Sequence, residues 1–281
     1  MGTYRGVAQT NEAIVADGRY TAPSGAIVQI AKMVAAACAG TVAYTPADLE
    51  RLSAHVTPGT AATRIEVTGE SSISAARRLY DENGTAAGSA ERIAVLNFAS
   101  ARNPGGGYLG GARAQEEDLC RVSALYTTLL QAPDHYAEHR ASRDPAYSHR
   151  VIYSTDVPVY RDAQYRLLET PYPLAFLTSP APNAGVIARD RPSEVAALPD
   201  LLTARAARVL AVAAHHGRRT LVLGAWGCGV FRNDPTHVAA AFQRNLGAGA
   251  PFSGVFDRVV FAVLDKASGS PNLSAFRAAF G

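Results

Sequence analysis

The sequence predicts an α/β domain with a largely parallel central sheet layered between helices, and three observations carry that prediction. Apolar runs of strand length at residues 65–68, 93–99, 174–178, 220–225 and 259–264 alternate with segments whose apolar residues recur at helical spacing. Alternation of this kind marks strands joined by helical crossovers. Two of the strands lead into glycine-rich loops, 105–111 and 224–229, and parallel sheets bind ligands where strand ends give way to loops and helix starts. A composition of 48% hydrophobic and 18% charged residues supplies enough apolar surface for a sizeable core.

The length of 281 residues, with no internal repeat or low-complexity stretch, points to one domain with additions. No run approaches the roughly 18 apolar residues of a membrane helix. The first twelve residues lack an apolar core and carry Glu12, unlike a secretory signal, so a cytoplasmic location is expected. Cys38, Cys120 and Cys228 are too few and too scattered for a disulfide framework or a zinc site, and read as small buried hydrophobes in a reducing compartment. A net charge of +3 leans mildly towards anionic partners. Of the 27 cationic residues only Lys32 and Lys266 are lysine, and arginine suits bidentate phosphate contacts.

Taken in order, residues 8–17 read as a helix and residues 18–30 as a hairpin around Pro23-Ser24-Gly25. Ile65-Glu-Val-Thr68 is a strand. Residues 71–83 are a helix with Gly84 just past its end, and 84–89 a small-residue linker. The run 93–99 is bounded and apolar, as a buried strand should be. In the loop that follows, Gly105, Gly106, Gly107, Gly110 and Gly111 leave the backbone bare. Gln115, Glu116 and Glu117 then open a helical segment with Leu119, Val122, Leu125, Leu129 and Leu130 on its apolar face. Residues 132–148 carry Pro133, Asp134 and Pro145 and read as surface loop. His135, His139 and His149 there are expected to be solvated rather than metal-bound, because no second cluster completes a site.

Residues 151–154 and 174–178 are strands joined by a polar bridge, and Ser179-Pro-Ala-Pro-Asn183 is a loop that cannot continue a central strand. An amphipathic helix lies within 191–216, with Leu198, Leu201, Leu202, Val209, Leu210 and Val212 on its buried face. The strand 220–225 runs into Gly224-Ala-Trp-Gly-Cys-Gly-Val-Phe231. Asp234 caps the next helix, with Pro235 at its first position. Residues 259–264 are the most hydrophobic strand, and 274–280 a short last helix.

The chemistry concentrates in two places. In 224–231, successive backbone N–H groups of a strand-to-helix turn can converge on an anion; a plain βα turn has the same pattern. The loop is neither a P-loop nor G-x-G-x-x-G, and Cys228 as a nucleophile lacks a histidine partner. Glu116 and Glu117 have a bland role as acids stabilised in a first helical turn. That dipole lowers a carboxyl pKa, so a proton donor here needs opposing effects: burial, the neighbouring like charge and an incoming phosphate. Two adjacent glutamates in a cleft titrate as a pair, so one can stay protonated while the other ionises.

Gly105-Gly-Gly107, seven residues, then Gln115-Glu-Glu117 resembles the glycine-triplet and Q-E-E signature of poly(ADP-ribose) glycohydrolases. Asn97-Phe-Ala-Ser100, Asn103-Pro104 and the 224–231 loop resemble the shorter, bacterial-type branch of that family. The resemblance implies a macrodomain-like three-layer α/β/α fold with a mixed, largely parallel sheet. It implies one catalytic domain over residues 1–281, with 1–90 as an N-terminal helical and hairpin extension packed on a core of 91–281. By the same resemblance Glu117 is the catalytic acid and base, and Glu116 holds ribose hydroxyls at the scissile linkage. Asn103, Gly105, Gly106, Gly107 and Gln115 line the ribose side; Gly224, Ala225, Trp226, Gly227, Cys228, Gly229 and Val230 bind the diphosphate; and Phe231 presses on the terminal ribose. The adenine end is expected at the loops after Ser154 and Ser179.

The implied substrate is poly(ADP-ribose), carried on modified proteins, cleaved at its ribose–ribose O-glycosidic bonds with release of ADP-ribose. The resemblance implies no metal or redox cofactor, no reading of nucleic-acid sequence and no membrane partner. Two other readings keep the same loops: a module that binds ADP-ribose without reaction, and a hydrolase of another ADP-ribosyl linkage. Retention of the glutamate pair argues against the first.

Overall fold

A computed structural model describes residues 3–82 and 93–281. Helix α1 (Tyr4–Asp17) starts where the Thr3 hydroxyl accepts from Gly6 N and stops at Gly18, whose φ of 67° ends it in the left-handed conformation. Strands β1 (Arg19–Thr21) and β2 (Ile27–Gln29) form the expected antiparallel hairpin. Three elements that the sequence pattern did not single out follow: α2 (Ala31–Ala39), β3 (Val42–Tyr44) and α3 (Pro46–Ala54). The start of α3 is a capping box between Thr45 and Asp48. Strand β4 (Arg64–Thr68), α4 (Ser72–Glu82) and β5 (Ile93–Phe98) lie where expected, while the linker 84–89 falls outside the described residues.

The helix expected from Gln115 onward is two, α5 (Gln115–Val122) and α6 (Leu125–Leu129). Ser123 between them is extended and bridges to Val159, and its hydroxyl both donates to Leu119 O and accepts from Leu125 N. Leu130 lies beyond the break and is exposed. Of residues 132–148 only 143–148 are loop: α7 (Pro133–Ser142) starts on its proline and buries His135, Tyr136 and His139. His135 and His139 are therefore buried rather than solvated and His149 is half-buried, and burial pushes His135 down to about 3 and the other two to about 4. Histidine recurring every four residues gives α7 an inward face that apolar counting does not register.

The remaining elements are β6 (Val151–Arg161), β7 (Leu167–Ser179), α8 (Ala184–Asp190), α9 (Leu198–His215), β8 (Thr220–Leu223), α10 (Pro235–Leu246), β9 (Arg258–Ala262) and α11 (Pro271–Phe280). Asp234 caps α10 through Thr236 N, as its sequence predicts. Seven strands form one sheet in the order β3-β6-β7-β5-β8-β9-β4, in which β7, β5, β8, β9 and β4 are paired parallel and β6, between β3 and β7, is antiparallel to both. Both edge strands precede residue 90, so a boundary at that residue runs through the sheet rather than beside it.

Alternate residues of the central strands feed two cores, making three layers. Val95, Phe176, Val222 and Val260 face the side covered by α1, α2, α4, α5 and α6. Leu96, Leu177, Leu221 and Phe261 face α3, α9, α10 and α11. Phe261 is fully buried and its ring meets those of Phe242, Phe276 and Phe280 at 5.5, 5.2 and 4.4 Å. Phe261→Ala should lower unfolding free energy by about 3–5 kcal/mol, the cost of a large core cavity, read as a lower urea midpoint at unchanged slope.

Candidate active site

The C-terminal ends of β7, β5, β8, β9 and β4 share one edge of the sheet, and the site is built there from the loops that leave it. Central β5 carries Asn97 and Phe98 into it, in register with Thr178 and Ser179 of β7. The chain then turns through Gly105 and Gly106, at φ 65° and 59°, makes one 3-10 turn at Tyr108–Gly110, and starts α5 at Gln115. Tyr108 is buried and donates to Glu12 Oε1 at 3.1 Å, so α1 holds the glycine loop from outside.

Glu116 and Glu117 are both buried, at 2% and 7% exposure. Glu116 Oε1 accepts from Asn97 Nδ2 at 3.3 Å and its Oε2 from Ser100 N at 2.6 Å. Glu117 Oε1 accepts from Gly107 N at 2.8 Å, while its buried Oε2 has no hydrogen-bond partner. Both carboxyls crowd Gly106: a Cβ there would lie 2.5 Å from Glu117 Oε1 and 3.1 Å from Glu116 Oε2. The bare loop is thus a packing requirement of the acids as well as an opening for ligand. Burial outweighs the donated hydrogen bonds and pushes the Glu116 carboxyl up to about 8, with the Glu117 charge acting in the same direction.

Not every expected residue faces the cleft. Gln115 spends its amide on the protein: Oε1 accepts from Phe98 N at 2.8 Å, and Nε2 donates to Leu96 O at 2.7 Å and Ser72 Oγ at 3.1 Å. Asn103 is exposed, and its carbonyl accepts from Gly106 N at 3.0 Å. The loop 224–231 leaves the end of β8 beside the end of β9, where a Cβ at Gly224 would come within 2.5 Å of Ala262 O, and continues onto the loop after β7. Trp226 points inward, fully buried, with Nε1 donating to Ser179 O at 2.9 Å, so only its backbone can meet a ligand. Gly227, at φ 74°, leaves no room for a Cβ against Ala181, whereas the Cβ position at Gly229 is open. Val230 is 80% exposed and Phe231 half-buried beside it. Burial pushes the Cys228 thiol up to about 12, which removes it as a nucleophile.

A cavity of about 820 Å³ extends from Ala225, Cys228 and Gly229 past Phe98 to the loops after β4 and β9, where Glu70, Ser72, Val263 and Lys266 line it. The loops expected to hold adenine lie elsewhere. Ser154 sits inside β6, accepting from Thr128 Oγ1, and the Ser179 loop lies beneath the 224–231 turn. Residues 70–74 and 263–266 line this cavity because each segment follows one of two neighbouring parallel strands, and the sheet order that brings them together is not given by sequence pattern alone.

A folded pKa of about 8 against 4.5 means that the folded chain keeps a Glu116 proton that the unfolded chain releases. The associated stability is full below about pH 4.5 and is lost as pH rises through about 8. Glu116→Gln, which cannot titrate, should gain on wild type as pH rises from about 5 to about 8 in urea unfolding; parallel pH curves would contradict the assignment.

Residues 8–162 match the family model of the microbial-type PARG catalytic domain. The chain is 51% identical to a poly(ADP-ribose) glycohydrolase from Thermomonospora curvata solved with the inhibitor ADP-HPD, covering 99% of each chain with a TM-score of 0.91. It is 47% identical to one from Deinococcus radiodurans solved with ADP-ribose, covering 88% of this chain and 96% of that one with a TM-score of 0.81. A comparison with functionally curated proteins finds no match. By the family model over residues 8–162 and the likeness to the Thermomonospora curvata structure over nearly the whole chain, this chain belongs to the microbial-type poly(ADP-ribose) glycohydrolase (PARG) family.

Proposed function

We propose that this protein hydrolyses the ribose–ribose O-glycosidic bonds of poly(ADP-ribose) and releases ADP-ribose. The observation that carries the reading is the convergence of two buried glutamates on Gly106, one of them with an unpartnered carboxyl oxygen. The terminal ADP-ribose unit lies along the edge of the sheet. Its adenosine enters the cavity beside Glu70 and Val263, its diphosphate meets the backbone of 224–230, and its terminal ribose sits between Phe231 and the 105–107 glycines. Asn103 borders that ribose, and Gln115 acts by fixing the start of α5 to β5.

Glu117 protonates the departing ribose oxygen as the bond to the anomeric carbon breaks, leaving an oxocarbenium-like centre. The nearby diphosphate stabilises that cation, and Glu117, now ionised, takes a proton from the water that attacks it. Products are ADP-ribose and a polymer end bearing a free hydroxyl. Glu116, whose buried carboxyl keeps its proton up to about 8, holds ribose hydroxyls beside Glu117. These steps call on no metal or redox cofactor. The substrate is poly-ADP-ribosylated protein, and the free thiols of Cys38, Cys120 and Cys228 suit the reducing cytoplasm.

Glu117→Gln keeps shape and hydrogen bonding but loses the proton, so release of ADP-ribose from purified polymer should fall about 10²- to 10⁴-fold while ADP-ribose affinity by calorimetry stays within about threefold. A retained rate would remove Glu117 from the mechanism; a wild-type protein that binds polymer without shortening it would make the chain a reader. Gly106→Ala drives a Cβ into both carboxyls at a left-handed φ, and should cost about 10²-fold or more in kcat from displacement of the acid. Wild-type turnover in that variant would show that the acids tolerate another arrangement.

A further inference from the structure

Two loops that carry no reacting group meet on one buried cation. Arg205 of α9 is fully buried, and its Nη1 donates to Pro180 O at 3.0 Å while its Nη2 donates to Ala146 O at 2.8 Å and Tyr147 O at 3.1 Å. All three acceptors are neutral carbonyls, drawn from the loop before β6 and the loop after β7. A guanidinium is suited to this, because its rigid fork reaches several acceptors at once, whereas an ammonium is a single point. Burying a cation is costly unless it is hydrogen-bonded, so the loops and the arginine hold one another in place.

Each loop leads to the candidate site. The 179–183 loop is the bed of the diphosphate turn: Asn233 Nδ2 ties Pro182 O to Gly227 O at 2.8 and 3.2 Å, and Ala181 fills the space where Gly227 lacks a Cβ. The 144–147 loop ends on Tyr147, a non-glycine residue at φ 56°. Such a conformation persists only where the surroundings impose it, and the Arg205 bond to the Tyr147 carbonyl is one such constraint. The Tyr147 ring lies 5.8 Å from Phe231 on one side and 5.8 Å from buried His139 on the other. Phe231 therefore rests against a side chain whose backbone Arg205 fixes.

We propose that Arg205 is a positioning residue for hydrolysis: by clamping the 146–147 and 180 carbonyls it sets Tyr147 behind Phe231, and so holds the terminal ribose with its anomeric carbon on Glu117. The proposal rests on the reading of the site given above. It separates binding from reaction, because the nucleoside cavity and the diphosphate turn grip substrate on their own, while Arg205 acts on the alignment of the sugar. A displacement of about 1 Å at the reacting atoms is enough to cost about 10²-fold in rate.

The test is a steady-state comparison of Arg205→Met, Arg205→Lys and Tyr147→Ala with wild type on purified poly(ADP-ribose). In R205M and Y147A, kcat should fall about 10- to 100-fold with KM within about threefold, and R205K, with one donor group for two loops, should fall between R205M and wild type. If R205M does not fold, R205K and Y147A, the latter altered at a half-buried loop position, decide together. A kcat within about threefold of wild type in Y147A and in every Arg205 variant that folds, or a loss confined to KM, overturns the proposal. Failure of wild type itself to release ADP-ribose would instead overturn the functional reading.

Discussion

The site depends on two carboxyl groups packed against a residue that has no side chain. Gly106 supplies the space, β5 supplies Asn97, and the turn after β5 supplies Ser100 N; together they let Glu116 be buried without a cation. A carboxyl in that position holds its proton near neutral pH, since desolvation dominates the bonds it receives. Its neighbour is held differently, with one oxygen on Gly107 N and the other unpartnered. Adjacent positions on one helix turn thus acquire different environments, which is the usual way that two like residues take different tasks.

Around this pair the molecule is arranged as stacked loops. The 224–231 turn lies on the 179–183 loop, with Trp226 as a peg into the core and Gly227 as the point of closest approach. On the other side α1 presses on the glycine loop, where Gly111, at φ 83°, has only 3.0 Å between its Cβ position and Arg5 N. The N-terminal segment is therefore part of the wall that keeps Glu117 in place. Because β3 and β4 also close the two edges of the sheet, the first ninety residues are tied to the catalytic architecture at several points.

Much of this was legible in the sequence where the signal is local. Central strands are continuous apolar runs because both faces are buried, and the Asp234-Pro235 start of α10 is fixed by capping chemistry. The ordered glycine and glutamate motif pointed to the acids, which the structure brings together. Less legible were elements held by tertiary contacts: three-residue β3, alanine-rich α2, and α7, whose buried histidines resemble a polar loop on paper. Sequence alone does not show that the Gln115 amide bonds to β5 while the residue lines the cavity, or that the Trp226 indole anchors a turn. Pattern alone also does not reveal that β4 and β9 are neighbours, an arrangement that opens the loops following both strands on one cavity.

A structure of the protein with ADP-ribose bound tests the central claim most directly. The account expects the anomeric carbon about 3–3.5 Å from a Glu117 carboxyl oxygen, the diphosphate on the backbone of 224–230 and the adenine beside Glu70 and Val263. A nucleotide seated elsewhere, or one whose terminal ribose lies away from the Glu116–Glu117 pair, would contradict it.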